Sequence, residues 1–341
     1  MTDTTTANPG ASAAETTAAS LDDGAPQDAA ALLGLMWRIR LFEDEVKKFF
    51  ALNLVRGSTH LCNGQEATAV GVCKALRPGD TMTCTYRGHG AVLAMGAALD
   101  RCFGEILGRA GGLCGGRSGS MHLTAVELGA LGSNAIVGAN LPITVGAALS
   151  AQHLGTGAVG VAFCGDGATN IGAFHESLNL ASVWKLPAVF VIENNLYGEY
   201  SPVASTTPIT RLADRASSYG MPGVVVDGND VVAVRSVALN ALERARSGAG
   251  PTLIEANTYR QEGHSRSDPA TYRPEGELDR WLARDPIILL QNAMRAGPGS
   301  ATDAEIEQIR SDAAADVARA RDRALSWPEP AVEDRLKDVY A

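Results

Sequence analysis

The chain has 341 residues, 45% of them hydrophobic, and a formal net charge of −9. This length allows one large α/β domain or two smaller ones, and the apolar content excludes a wholly disordered or fibrous protein. The negative charge argues against a general nucleic-acid surface, because phosphate backbones require an excess of Lys and Arg.

Cysteine usage and the N-terminal composition indicate the compartment. The six cysteines form no Cys-x-x-Cys pair and lie in apolar or Gly-rich runs, which favours free thiols in a reducing environment. No apolar run reaches membrane-spanning length, and the N-terminus lacks the basic start and apolar stretch of a signal peptide. We therefore expect a cytoplasmic protein with no membrane and no nucleic-acid partner.

The first third of the chain predicts a tail followed by helices. Residues 1–26 are mainly Ala, Thr, Ser, Asp and Gly, which predicts a disordered N-terminal arm. From Leu32 to Phe49 apolar residues recur every three or four positions, which predicts an amphipathic helix beginning near Gln27. A second helix is expected from Gln65 to Leu76, and a short strand from Thr81 that runs into a Gly-flanked turn.

Two glycine patterns come next. Residues 108–122 contain too many glycines for a helix or strand, and a long loop of this kind in a compact domain is usually functional or flexible. A helix is predicted over residues 140–153. Gly155, Gly157 and Gly160 match the dinucleotide pattern Gly-x-Gly-x-x-Gly, but they precede a strand instead of joining a strand to a helix. The pattern therefore does not predict nicotinamide binding.

The central stretch, residues 159–197, organises the rest of the chain. Residues 159–164 and 188–192 read as buried strands, and residues 170–183 as the helix between them. Right-handed crossovers make such strands parallel, so Asp166 and Asn195 both follow strand C-termini, where open α/β sheets bind ligands.

These two residues suit a metal–phosphate site. A carboxylate, an amide oxygen and a main-chain carbonyl match the few protein ligands that Mg²⁺ takes beside phosphate oxygens. Gly165 and Gly167 leave room for a diphosphate near the backbone, and the helix that follows points its positive end the same way. The alternative for Asp166 is an ordinary helix cap.

The remaining elements complete a predicted α/β fold. Strands are expected at residues 224–226 and 252–256, with a helix over 231–246 between them and a surface loop over 259–273. Thr302 and Glu305 form a capping-box pattern for a long helix that Trp327-Pro328 ends. We predict one α/β domain over residues 27–341, with a mostly parallel sheet, helices on both faces, an N-terminal helix and a C-terminal helical extension from about residue 278.

The motifs, taken together, resemble the α subunit of the E1 component of 2-oxo acid dehydrogenase complexes, of the pyruvate dehydrogenase type. The resemblance runs from about Leu32 to the C-terminal helices. It rests on Gly-Asp-Gly at 165–167 with Asn-Asn at 194–195, and on five further motifs: residues 60–67, 86–90, 119–122, 136–138 and 259–265.

The resemblance implies a thiamine diphosphate-binding fold with Mg²⁺ and assigns residue roles. Asp166, Asn195 and the Tyr197 carbonyl would hold Mg²⁺. Cofactor contacts would come from main-chain groups of Ala135, Val137, Gly167 and Ala168, and from Tyr86, Arg87, Arg260 and His264. His60 and His264 would be catalytic and help to move protons. Without the family, His60 could equally be a core histidine, and isolated arginines are usually surface ion-pair residues.

The implied activity is decarboxylation of a 2-oxo acid, with pyruvate preferred, and transfer of the acyl group to the lipoyl group of a separate E2 protein. The resemblance also implies an E1 β subunit, an α2β2 heterotetramer and a β-subunit glutamate that faces the cofactor. Acetoin dehydrogenase α subunit is the alternative, and residues 214–216 and 219–223 are similar to that group. A branched-chain substrate and a non-catalytic assembly subunit are more remote alternatives.

Overall fold

The computed structural model describes residues 26–55, 57–297 and 300–337. The predicted N-terminal arm lies outside these residues, except for Pro26, where the first helix begins. In the described part of the chain, no helix combines the length and apolarity that a bilayer crossing requires.

The described residues contain eight strands and eleven α-helices, besides short 3₁₀ turns. The strands are β1 Thr81–Thr85, β2 Ala130–Asn134, β3 Gly160–Gly165, β4 Ala188–Asn194, β5 Tyr197–Gly198, β6 Ser201–Pro202, β7 Gly223–Asp227 and β8 Thr252–Asn257. The helices are α1 Pro26–Ala51, α2 Glu66–Cys73, α3 His89–Ala94, α4 Leu99–Ile106, α5 Asn140–Leu154, α6 Gly172–Val183, α7 Val203–Thr206, α8 Val231–Arg246, α9 Glu277–Leu282, α10 Pro286–Ala296 and α11 Asp303–Ser326.

Six strands form one sheet in the order β2-β1-β3-β4-β8-β7, and every neighbouring pair in it is parallel. Side chains alternate along β3, so that Val161 and Phe163 join a core with α1, α2 and α8. Ala162 and Cys164 point the other way, into a core with α5 and α6. Helices therefore cover both faces, as a parallel sheet requires, and the predicted fold is confirmed.

The predicted elements are largely found, with two differences. Strand β2, with the sequence Ala-Leu-Gly-Ser-Asn, has no strand signature of its own and exists because it pairs with β1. The predicted surface loop over 259–273 is wrong at its start, because Tyr259 and Arg260 are fully buried. The Tyr259 ring stacks on the Trp281 ring, and the Arg260 guanidinium lies near the rings of Tyr197 and Tyr272.

The C-terminal helix begins and ends where the sequence predicts. The Thr302 hydroxyl accepts from the Glu305 amide, and the Glu305 carboxylate accepts from the Thr302 amide, so the capping box is present. The helix packs against α1 and α4. Beyond it, the Trp327 ring lies against Gly104 and Gly111, where an added Cβ would come within 2.6 Å and 2.4 Å of the ring. The division into one domain with an extension stays a prediction.

Candidate active site

The register of β3 against β4 brings the two key polar residues together. Gly165 pairs with Glu193, so the chain leaves both strands at the same edge, at Asp166 and at Asn195. Asp166 opens a short 3₁₀ turn that precedes α6. The predicted placement of both residues at neighbouring strand ends is therefore confirmed, and both side chains line one cavity.

This cavity has a volume of about 460 Å³ and lies at the carboxyl edge of the sheet. Its lining includes every residue that we predicted as a site residue except Arg260. The predicted residues in its wall are His60, Tyr86, Arg87, Ala135, Val137, Asp166, Gly167, Ala168, Asn195, Tyr197 and His264.

Asp166 has an unused acceptor. Its side chain is buried, with 3% of the residue exposed, and its Oδ2 atom has no hydrogen-bond partner in the described structure. Burial raises the pKa of Asp166 to about 6, although the Gly167 amide and the Arg260 cation oppose the rise. A buried acceptor of this kind is costly unless something binds it.

Asn195 is held beside this carboxylate with a fixed orientation. Its Nδ2 donates to Gln65 Oε1 at 3.1 Å, and its Oδ1 accepts from the Tyr197 amide at 3.4 Å. Among the described residues no group of three or more His, Cys, Asp and Glu side chains could hold a metal. A metal here would therefore depend on one carboxylate, one amide and main-chain oxygen.

Two buried arginines supply positive charge. Arg87 donates from Nη1 to the Leu61 carbonyl at 2.7 Å and from Nη2 to the His264 carbonyl at 2.8 Å. Burial, and then the nearby Arg260 cation, lower the pKa of Arg87 below its ordinary value. Both bonds go to main-chain carbonyl oxygens and neither to a carboxylate, so the Arg87 guanidinium can still pair with an anion in the cavity.

Arg260 stands behind the wall instead of in it. Its guanidinium donates to the Glu199 carbonyl and lies 5.9 Å from the Tyr197 ring and 5.8 Å from the Tyr272 ring. Its Nη1 is 3.9 Å from Asp268 Oδ2. The possibility that the two arginines are surface ion-pair residues is thus wrong, because both are buried.

Two histidines and a tyrosine form an aromatic corner of the cavity. The His60 ring centroid lies 4.3 Å from that of Tyr86 and 5.0 Å from that of His264. Burial, followed by the Arg87 cation, lowers the pKa of His60 to about 3. The same two causes lower the pKa of His264 to about 4. Both rings are therefore neutral near pH 7.

Sequence reasoning missed several lining residues. These residues, which also line the cavity, are Thr85, Met121, Glu193, Gly198 and Glu199. Burial raises the pKa of Glu193 to about 7, against the opposing effects of Gln65 and Arg87. Its position directly before Asn194-Asn195 was the available signal, but the predicted strand ended at residue 192 and Glu193 was given no role.

The structure describes all six cysteines and shows none of them in a disulfide, and all except Cys114 are buried. Burial raises the pKa of Cys84 to about 12 and raises those of Cys62 and Cys164 as well. The thiols near the cavity are therefore protonated and enclosed.

Parallel strands, a cavity with a buried arginine at their carboxyl ends and a buried carboxylate oxygen without a partner are typical of an α/β enzyme that binds a phosphorylated cofactor. Residues 35–333 match the sequence profile of the dehydrogenase E1 component, and the chain belongs to that family. Membership implies thiamine diphosphate as the cofactor.

Individual relatives agree with this assignment. The chain is 45% identical to the α subunit of acetoin:2,6-dichlorophenolindophenol oxidoreductase from Bacillus subtilis (strain 168), over 89% of this chain and 91% of that one. It is 42% identical to the protein of the same name from Cupriavidus necator, over 95% and 99%. Identity to the pyruvate dehydrogenase E1 component subunit alpha of Rhizobium meliloti is 39%, over 89% and 87%.

The cavity suits the implied cofactor by two observations. The free Asp166 Oδ2 is an oxygen ligand of the kind that a diphosphate-bound divalent cation needs. A Cβ built on Gly165 meets no heavy atom within 4 Å, so the absence of a side chain keeps this part of the cavity open.

Asp166 gives a pH dependence that calorimetry can check. A carboxylate ligand must be ionised to bind metal, and its pKa in the cofactor-free protein is about 6 against 3.8 ordinarily. We expect the affinity for thiamine diphosphate with Mg²⁺ to be constant above about pH 7 and to fall about tenfold per unit below about pH 6. Titrations at pH 5 to 8, corrected for protonation of the free cofactor, test this.

The same carboxyl predicts the opposite trend for stability. Between about pH 4 and pH 6 the folded cofactor-free chain binds more protons than the unfolded chain, so its stability should fall as pH rises and then level off. Asp166→Asn should remove this contribution. For the affinity prediction above, cofactor binding that is equally tight at pH 5 and pH 8 would contradict a role for the Asp166 carboxylate in binding.

Proposed function

We propose that the chain is the α subunit of a thiamine diphosphate-dependent E1 enzyme, which takes a two-carbon acyl unit from a small substrate and passes it to the lipoyl group of an E2 protein. The observation that carries the proposal is the juxtaposition of Asp166 and Asn195 in a cavity that Arg87 also lines. A protein that only scaffolded a complex would have no use for a buried, unpaired carboxylate.

The cavity residues divide the work of binding. Asp166, Asn195 and the Tyr197 carbonyl would hold Mg²⁺ on the diphosphate, and Gly167 and Ala168 would add main-chain contacts. Tyr86, Arg87 and His264 would contact the diphosphate, and main-chain groups of Ala135 and Val137 would contact the aminopyrimidine ring. Arg260, which the resemblance also assigned to the cofactor, lies behind the cavity wall and would add positive charge from there. When bound, the cofactor supplies the electron sink for carbon–carbon bond cleavage.

His60 and His264 are the proposed proton-handling groups. Their low pKa values keep both imidazoles neutral at pH 7, so each can accept a proton or a hydrogen bond from a substrate oxygen. The main-chain carbonyl of His264 accepts a hydrogen bond from Arg87, so Arg87 helps to hold His264 in place. A change at Arg87 should therefore disturb proton handling as well as diphosphate binding.

We propose an E1 β subunit as the partner, in an α2β2 assembly. Large apolar side chains are exposed beside the cavity, with Ile136 at 69% and Val137 at 43%. Apolar surface next to a binding site is a common mark of a protein interface. Such a partner would also supply the predicted glutamate to the cofactor.

This partnership predicts that the isolated chain is inactive. With thiamine diphosphate and Mg²⁺ present, dye reduction by the chain alone should be lower by about 1,000-fold or more than by an equimolar mixture with its β subunit. Turnover by the purified chain at the full rate would refute the β-subunit glutamate. In that event Glu193 and Glu199 of its own cavity would be the residues to test.

The substrate is proposed at two levels. The motifs at residues 60–66 and 263–268 led us to prefer pyruvate. The relatives do not confirm that preference, since those named for acetoin share more identity with the chain. Acetoin is therefore a second candidate with its own support. Steady-state rates of the α–β mixture with pyruvate, acetoin and branched 2-oxo acids would decide between them.

The same mixture tests the assembly-subunit alternative. Saturable binding of thiamine diphosphate that requires Mg²⁺ supports an enzyme, whereas no binding at millimolar cofactor would favour a scaffold. The lipoyl-bearing E2 partner and the cytoplasmic location belong to the same proposal and rest on the resemblance and on the cysteine pattern.

A further inference from the structure

Glu43 contacts two segments of the cavity wall directly and a third through His89, and it does not line the cavity itself. It lies in α1, and its Oε1 accepts from the Cys62 amide at 2.9 Å. Its Oε2 is 2.9 Å from His89 Nδ1. On the other side of the ring, His89 Nε2 is 2.8 Å from Ser120 Oγ and 3.2 Å from the Ser120 carbonyl oxygen. All three side chains are buried.

Each contacted residue is a close neighbour in sequence of a cavity residue. Cys62 follows His60 by two positions, and His89 follows Arg87 by two. Ser120 directly precedes Met121. A single carboxylate thus connects, directly or through the imidazole, the segments that carry a proposed catalytic histidine, a diphosphate-binding arginine and the thioether in the wall.

Glu43, His89 and Ser120 depend on one another for their hydrogen bonds. An ionised carboxylate only accepts, so His89 Nδ1 must be the donor to Glu43, and Nε2 is then shared with Ser120. Burial alone would raise the pKa of Glu43, but the His89 ring and the Cys62 amide hold it below its ordinary value. Removal of one member leaves a buried polar group unpaired, which costs more than a surface bond.

Glu105 holds the neighbouring part of the Gly-rich loop by hydrogen bonds, and the last residue that it contacts is Gly119, two positions before Met121. Its buried carboxylate accepts from the amides of Cys114, Gly116, Ser118 and Gly119 and from the Ser118 hydroxyl. The next residue, Ser120, is held by His89 instead. The His89–Ser120 contact is therefore where the loop is attached to the cavity wall.

We propose that Glu43, His89 and Ser120 are positioning residues for the reaction, which fix the segments of His60, Arg87 and Met121 relative to one another. The proposal rests on the proposed function. Although a Glu-His-Ser series is also the order of an acyl-transfer triad, the Ser120 hydroxyl is buried and does not line the cavity. It therefore acts through its neighbours and not as a nucleophile.

The test compares Ser120→Ala, Glu43→Met and Glu43→Gln in the chain with its β subunit. Ser177→Ala is the matched control, because that serine is also buried but its hydroxyl has no partner. The measurements are the Kd for thiamine diphosphate in excess Mg²⁺, kcat and KM, the melting temperature, and hydrogen exchange of residues 60–64, 86–90 and 119–123.

Ser120→Ala should weaken cofactor binding about fivefold and speed exchange in residues 119–123 alone. Glu43→Met should weaken binding about tenfold or more and speed exchange in all three segments. Glu43→Gln should recover most of this loss, because its amide can accept from Cys62 and donate to His89 Nδ1. If the three residues only stabilised the fold, each substitution would lower the melting temperature and speed hydrogen exchange throughout the protein, and not selectively in these segments.

Unchanged Kd, kcat and exchange in Ser120→Ala, matching the Ser177→Ala control, would overturn the proposal. If Glu43→Met does not fold, the comparison of Ser120→Ala with Glu43→Gln still decides it. If the wild-type mixture binds no thiamine diphosphate, the proposed function fails, and exchange in the cofactor-free protein tests the anchoring separately.

Discussion

Asp166→Asn should abolish Mg²⁺-dependent binding of thiamine diphosphate while leaving the fold intact. The substitution keeps the size and one oxygen of the side chain but removes the charge that a divalent cation requires. Loss of one partner from a buried charge pair costs about 3–5 kcal/mol, which corresponds to a loss of affinity of about 150-fold to 5,000-fold. Calorimetric titration of the α–β mixture and its dye-reduction rate measure the effect.

The stability of the same variant separates a binding role from a structural one. Asp166 Oδ2 bonds to nothing in the described structure, and burial raises the pKa of the carboxyl, so the residue destabilises the cofactor-free fold. The cofactor-free melting temperature should therefore stay constant or rise slightly. Asp312→Asn, on the exposed side of α11, is the control, and a marked loss of stability in Asp166→Asn alone would contradict this reading.

Gly165→Val should also eliminate cofactor binding, by filling space instead of removing charge. Gly165 has φ −81° and ψ 167°, an extended conformation that any residue adopts. Its Cβ would enter open space in the cavity. We therefore expect a stably folded protein whose affinity for thiamine diphosphate is lower by about 100-fold, because the diphosphate can no longer approach the backbone.

A graded series makes this result specific. Gly165→Ala should give a smaller loss than Gly165→Val, since the steric volume in the cavity grows with the side chain. Gly34→Ala in α1, where a Cβ makes an ordinary 3.6 Å contact with Ile309, controls for adding a methyl group. Equal cofactor affinity in the two Gly165 variants and the wild type would show that the diphosphate lies elsewhere.

The position of the site was predictable because it depends on local rules. Short apolar strands on either side of a helix give parallel neighbours, and Asp166 and Asn195 then share an edge whatever the rest of the chain does. The helix over Val231–Arg246 was also predicted with its observed bounds, since its apolar spacing is regular and Asp230 caps it.

Other features depend on contacts between distant residues, which a single sequence does not encode locally. Strand β2 forms only through pairing with β1. Arg260 is buried because its guanidinium packs near the rings of Tyr197 and Tyr272. Glu43 is fully buried and bonds to the Cys62 amide and to His89, although the sequence pattern of its helix predicted only amphipathicity.

The enclosed thiols have a consequence for a lipoyl substrate. An oxidised lipoyl ring is a strained disulfide, and any thiolate within reach would open it and trap the carrier as a mixed disulfide. Cys62 and Cys164 flank the cavity in sequence, yet burial keeps their sulfurs protonated and covered. In the proposed transfer to a lipoyl group, neither of these two thiols would therefore attack the sulfur–sulfur bond of the carrier.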